Sequence, residues 1–233
     1  MQLISPKWVD ALGRVNAGIS TRDISWPSAA TMDNSQIGFE NRKQLLQDLG
    51  LETRALFTPS QQHGNTVVNA DSQPPGSDGD AVIARDSGAV IAVGVADCPA
   101  ILLCDPTTGA RAAIHSGWRG TTKNIVGKTI ATLRDAYGVK TENIWAWISP
   151  AAQQNSYEVE SDVADLFADK YLTKKDTTKF LLSVPHAVHD QLLESGVSPQ
   201  QIERDQKDTI SDNSFHSYRR GGEDYGLMLA LIG

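Results

Sequence analysis

The chain has little cysteine, no long apolar run and no surplus of positive charge, and each shortage removes a class of protein. Two cysteines in 233 residues, Cys98 and Cys104, are too few for a disulfide framework. They stand close together in what reads as one strand and its exit, so two free thiols in a reducing compartment are expected. No run approaches the roughly 18 apolar residues of a membrane span. The opening Met1-Gln-Leu-Ile-Ser-Pro also lacks the basic-then-apolar pattern of a secretion signal, so a cytoplasmic protein with no membrane partner is expected. Formal net charge is −7 and the pI is about 5.2. The Lys and Arg residues are scattered rather than clustered, which argues against nucleic acid as a partner. No feature of the sequence specifies an oligomeric state.

What is present is a globular composition, 40% hydrophobic and 21% charged, long enough for a sizeable core. The longest breaker-rich stretch, Asp71 to Asp80, is short enough to be a loop, so a single domain over residues 1–233 is expected. Strands are expected at Thr66 to Asn69, Ala81 to Ala84, Val90 to Val95, Ile101 to Cys104, Arg111 to His115 and Ile144 to Ile148, each apolar or β-branched and bounded by breakers. Helical spacing predicts helices at Glu40 to Leu49, Asn124 to Tyr137, Asp162 to Ala168 and Pro185 to Glu194. Interleaving of the two makes a mixed αβ protein. His186 and His189 share a helix with Asp190, Gln191 and Glu194 and read as surface residues.

Three strand ends place a metal-ligating residue beside one that frees the backbone. These are Gln61-Gln62-His63-Gly64, Ala96-Asp97-Cys98-Pro99 and His115-Ser116-Gly117-Trp118-Arg119-Gly120. Two imidazoles and a thiolate suit zinc, whose catalytic sites take three protein ligands and keep one position open. The ligands are 35 and 17 residues apart, so spacing alone leaves open an ordinary buried thiol and two hydrogen-bonded histidines. Asp97, beside Cys98, is placed either to accept from a ligand imidazole or to organise its loop.

Gln61-x-His63-Gly64, Asp80-Ala81, Ala96-Asp97-Cys98, His115-x-Gly117-Trp118-Arg119-Gly120 and Phe215-x-Ser217-Tyr218-Arg219-Arg220, in this order, resemble the YfiH-like family. That family is also called the laccase-domain or polyphenol oxidase family and is associated with purine nucleoside phosphorylase activity. With Gly18-Ile-Ser-Thr-Arg22 and Asn41-Arg42, the resemblance spans nearly the whole chain. It implies an α+β fold of mixed sheets in α/β/β/α layers, with zinc held by His63, Cys98 and His115. It also implies phosphorolysis of adenosine- and inosine-type nucleosides with phosphate, and adenosine deamination beside it. Copper-dependent oxidation of phenols is attributed to some members. Copper is thus an alternative to zinc, and a cysteine hydrolase using Cys98 and His115 is an alternative chemistry.

Arg119, Arg42, Arg219 and Arg220 lie in these motifs, and guanidinium forks suit phosphate, with Arg119 first because its loop carries His115. An ion pair is the alternative for Arg119, and Trp118 is either a core anchor or a stacking platform for a purine. Gln61, Asp97 and Tyr218 complete the expected pocket. The chain departs from the family pattern at Ser149, Ser156, Asp208 and Leu227, and altered pocket walls are expected there.

Overall fold

Along residues 90–95 the side chains of Ile91, Val93 and Val95 turn to one face and those of Val90 and Ala92 to the other, and all are buried. Strands buried on both faces have helices or a second sheet on each side. The computed structural model, which describes residues 3–13, 15–22, 36–86, 88–222 and 225–233, shows both. In chain order the elements are β1 (Leu3–Ile4), α1 (Trp8–Leu12), β2 (Ala17–Ser20), α2 (Gln36–Asp48), β3 (Leu56–Phe57), β4 (Val67–Asn69), β5 (Ala81–Ala84), β6 (Val90–Val95), β7 (Ala100–Cys104), β8 (Arg111–His115), α3 (Trp118–Thr122), α4 (Ile125–Tyr137), β9 (Trp145–Ile148), β10 (Glu158–Glu160), α5 (Ser161–Ala164), β11 (Leu172–Lys174), β12 (Lys179–Leu182), α6 (Val184–Glu194), β13 (Ile202–Arg204), α7 (Tyr218–Gly221) and β14 (Met228–Ile232).

A five-stranded sheet runs β1-β2-β14-β6-β3, and a six-stranded sheet runs β13-β9-β7-β8-β5-β4. Both are mixed: β3 joins β6 in parallel, as β13 joins β9 and β4 joins β5, while the other pairs are antiparallel. Ile91, Val93, Met228, Ala230 and Ile232 from the first sheet pack face to face with Val82, Leu102, Ala113 and Trp147 from the second. The outer face of the six-stranded sheet, with Ile83, Ile101, Leu103 and Ile114, is covered by Ile130 and Leu133 of α4 and Val188 and Leu192 of α6. Leu45 and Leu46 of α2 cover Val90, Ala92, Leu229 and Leu231 on the far side. The order is therefore α/β/β/α, and each fully buried Leu or Ile contributes roughly 1.5–3 kcal/mol of apolar burial to it.

Local signals set the helix ends. Asn124 caps α4 by accepting from the Gly127 amide at 3.1 Å, and Gly138 closes it in the left-handed region. Ser183 caps α6, with Pro185 in its first turn. The helix expected at Asp162 to Ala168 stops instead at Ala164. There the Leu166 and Phe167 amides reach back only three residues, to Val163 and Ala164, because so short a segment gains too few hydrogen bonds to sustain an α-helix. A small sheet of β10, β12 and β11 flanks it. Among the described residues, no helix is long and apolar enough to cross a membrane.

Candidate metal centre and its cavity

Strand register brings the candidate ligands to one end of the six-stranded sheet. His115, the last residue of β8, pairs with Ala100, the first of β7, and Cys98 lies two residues before it. On the other side Ala81 pairs with Ile114, so Asp80 meets His115, and its carbonyl accepts the His115 amide at 2.7 Å. His63 arrives from the loop between β3 and β4 with φ of 54°, a left-handed conformation. The ligand atoms of His63, Cys98 and His115 lie within 4.8 Å of one another. The two imidazoles meet edge to face, with centroids 4.8 Å apart.

Asp80, completely buried, sits behind this cluster. Its carboxylate accepts from His115 Nδ1 at 2.9 Å and from the amides of Gln62, His63 and Gly64 at 3.2, 2.9 and 2.7 Å. A side chain at Gly117 would bring its Cβ to 3.0 Å from Cys98 Sγ and 3.6 Å from His115 Nε2, so glycine leaves those two donor atoms unobstructed. Two imidazoles and a thiol with this access fit a zinc- or copper-sized ion.

Burial opposes ionisation of Asp80, but the His115 hydrogen bond and the backbone amides outweigh it and hold its carboxyl below the ordinary value. Burial, His115 and Arg119 together push the His63 imidazole down against the pull of Asp80. Burial also works to lower His115, yet the Cys98 sulfur and the Asp80 carboxylate overcome it and lift His115 to about 9. Its folded value thus exceeds the unfolded one of about 6.5. Protonated His115 therefore stabilises the metal-free protein fully below pH 6.5, and that contribution is lost as pH rises through about 9. Thermal melts in chelator are expected to show Tm falling across this window, and a Tm that climbs there would contradict the assignment. The other cysteine, Cys104, is buried and its thiol is pushed up to about 12 by burial and Asp105.

A cavity of about 360 Å³ opens over the cluster, lined by His63, Cys98 and His115 together with Arg119, Tyr218, Tyr225 and Leu227. Arg119 is exposed and makes no ion pair with a described residue; its guanidinium lies 4.2 Å from the Trp118 ring centre. Tyr218 meets Tyr225 edge to face at 5.0 Å. His186 and His189 flank Asp190 on α6, outside this cluster.

Other expected pocket residues have different roles. Gln61 borders the cavity, but its amide is taken up by both backbone groups of Gly94, at 2.8 and 2.9 Å. Asp97 does not receive an imidazole. Its carboxylate accepts from Thr209 Oγ1 at 2.7 Å, Ser217 Oγ at 2.9 Å and the Arg219 amide at 2.7 Å, tying the C-terminal segment to the Cys98 corner. Arg220 donates to the carbonyls of Thr209, Ile210, Asp212 and Phe215, so its fork is spent inside the protein. Trp118 and Arg219 line a neighbouring trough of about 230 Å³, with Arg219 5.2 Å from the Tyr157 ring centre. Trp118 is half-buried and packs on the helix-side core, and it lies outside the lining of the cavity over the metal cluster. Arg42 belongs to α2, and its side chain lies outside the described residues.

Of the four departures from the family pattern, only Leu227 borders the cavity. Ser149 is buried, accepting from the Ala100 amide at 3.0 Å, and Ser156 donates to Asp208 at 2.6 Å. Two of the departures therefore satisfy each other. Asp80 and Tyr225 carried no assigned role from the sequence. The Asp80-Ala81 pair was visible, but its function depends on contact with residues 17 and 35 positions away.

Comparison with known proteins adds to this geometry. Residues 17–233 match the family model described as multi-copper polyphenol oxidoreductase laccase. A purine nucleoside phosphorylase of Corynebacterium glutamicum is 36% identical over 201 residues, covering 82% of this chain and 79% of the relative. The purine nucleoside phosphorylase YfiH of Shigella flexneri is 31% identical over an alignment 249 positions long, gaps included, covering 99% of this chain and 98% of the relative. Among solved structures, the Bacillus licheniformis hypothetical protein YfiH superposes with a TM-score of 0.88 at 22% identity, over 97% of this chain and 94% of that one, a likeness of fold. A Neisseria meningitidis protein superposes with a TM-score of 0.82 at 27% identity, over 99% and 97%.

Proposed function

We propose, for a chain that belongs to the YfiH-like family of multi-copper polyphenol oxidoreductase laccases, a zinc-dependent purine nucleoside phosphorylase that also deaminates adenosine. The observation that carries this reading is the convergence of His63, Cys98 and His115 within 4.8 Å, at a cavity of about 360 Å³ that also holds Arg119. The names of the relatives supply the reaction.

His63, Cys98 and His115 would hold the metal. When bound, zinc supplies a Lewis acid that polarises a substrate oxygen or activates water at neutral pH. In phosphorolysis a phosphate oxygen bonds to C1′ of the ribose as the bond from C1′ to the purine nitrogen breaks, giving ribose 1-phosphate and a free base that takes up a proton. Arg119, charged and without a carboxylate partner among the described residues, binds and orients the phosphate in this scheme. Tyr218 and Tyr225 offer aromatic faces at the cavity wall to pack on the base or sugar and exclude water. The cavity is of a size for a nucleoside.

Metal analysis paired with phosphate-dependent base release from adenosine and inosine tests the proposal. Zinc near one per chain and base release that stops without phosphate are expected. Metal without base release defeats the phosphorylase; absence of both defeats the whole reading.

One observation favours a second chemistry. His115 hydrogen-bonds Cys98 on one side and Asp80 on the other, the order of nucleophile, base and orienting carboxylate in a cysteine hydrolase. Such an enzyme would work in chelator and be stopped by alkylation alone. Copper-dependent phenol oxidation is a third reading, in keeping with the family's description. One cluster of metal-ligating residues is found among the described residues, a small basis for multicopper chemistry.

A further inference from the structure

We propose that Asp80 is the positioning residue that presets both histidines for the metal, one through its ring and the other through its backbone. The inference rests on the metal site proposed above and concerns how that site is held ready.

The carboxylate divides its acceptor capacity evenly. Oδ1 takes His115 Nδ1 and the His63 amide, and Oδ2 takes the amides of Gln62 and Gly64. All four partners are donors, so the arrangement suits an ionised carboxylate and no neutral isostere. With its proton on Nδ1, neutral His115 turns its Nε2 lone pair to the side of Cys98, where a metal would take it. Nothing comparable fixes the His63 ring: no described residue hydrogen-bonds it, and its direction follows from the backbone that carries it. That backbone has φ of 54°, a conformation that costs a non-glycine residue about 1–3 kcal/mol unless its surroundings hold it. Three consecutive amides, at Gln62, His63 and Gly64, converge on Asp80 and supply that restraint. Asp80 is itself anchored at the start of β5, its amide donating to the Thr66 carbonyl at 3.0 Å and its carbonyl accepting from His115. One buried side chain thus couples a ligand on a strand to a ligand on a loop.

Asp80→Asn preserves volume but replaces one acceptor oxygen with a donor. Whichever way the amide lies, two of the four N–H groups then face an NH₂. Its zinc affinity, measured by competition with a chromogenic chelator, is expected to fall about 10- to 100-fold. The cobalt(II)-substituted protein is expected to show an altered d–d spectrum, because the His63 loop no longer presents its ring at the same angle. Wild-type zinc affinity within twofold together with an unchanged cobalt spectrum would overturn the proposal. Melting of the metal-free variant separates this loss from general unfolding.

If Asp80→Asn does not fold, the wild-type protein decides the matter through its histidine tautomers, read by long-range ¹H–¹⁵N NMR with His115 assigned by substitution. Recorded well above pH 9, where His115 is neutral with or without metal, protonation at Nδ1 and not at Nε2 is expected, and the reverse tautomer would overturn the proposal. Wild-type protein that retains no zinc would defeat the proposed function, while this NMR result would still decide the role of Asp80.

Discussion

Replacing Cys98 with serine is expected to abolish zinc retention and lower phosphate-dependent base release by roughly a thousandfold or more. The substitution is nearly isosteric, so the corner between Asp97 and Pro99 has no steric reason to change. A serine hydroxyl does not give up its proton at neutral pH, however, and leaves two imidazoles facing a poor neutral donor. Metal content and turnover should therefore fall together while the melting curve stays cooperative. Turnover that survives in Cys98→Ser would sink the metal reading.

Because this substitution also disables a cysteine hydrolase, His63→Ala completes the test. His63 is exposed, so its loss should spare folding, and it has no part in the Cys98–His115–Asp80 relay. Loss of zinc and activity in His63→Ala supports the metal site; full activity supports the hydrolase.

Asp97→Ala is expected to destabilise the protein by about 3 kcal/mol, from three donors left without their charged acceptor at a nearly buried position. For a chain of this size that corresponds to a fall in Tm of roughly 6–12 °C. Asp97 also adopts φ of 80°, which alanine tolerates no better, so nothing in the backbone offsets the loss. The segment released carries Tyr218, so KM for the nucleoside should rise as well. A shift of less than about 2 °C would mean that Thr209, Ser217 and the Arg219 amide find other partners without cost.

The sequence displays β5, β6 and β8 with their full bounds because each is a short apolar run between breakers. β7, β4 and β9 differ by one residue at an end. β14 is not evident in the sequence, although Met228 to Ile232 is wholly apolar, because a continuous apolar run, even between Gly226 and Gly233, does not by periodicity distinguish strand from helix. β1, β3 and β10 to β13 are two to four residues long, and their identity comes from partners rather than local pattern. The same division holds in the site. His63, Cys98 and His115 stood out by residue type, glycine company and family resemblance. The functions of Asp97 and Arg220 did not, because a carboxylate or guanidinium spent on internal donors or carbonyls has the same sequence as one aimed at a ligand. Asp97 drew attention beside Cys98, yet the imidazole partner is Asp80, delivered by strand register rather than proximity in the chain.

The position of β14 has a consequence for synthesis. It lies between β2 and β6, pairing Ala230 with Ile19 on one side and with Val93 on the other. During translation β1 and β2, which among the described residues join the sheet through β14, therefore wait to dock until residues 228–232 have left the ribosome. Until then β6 presents an unpaired edge, the kind of surface that recruits other chains. Loop closure over some two hundred residues makes this last step slow. A nascent chain stalled before Met228 should consequently be the most aggregation-prone and most chaperone-dependent form of the protein.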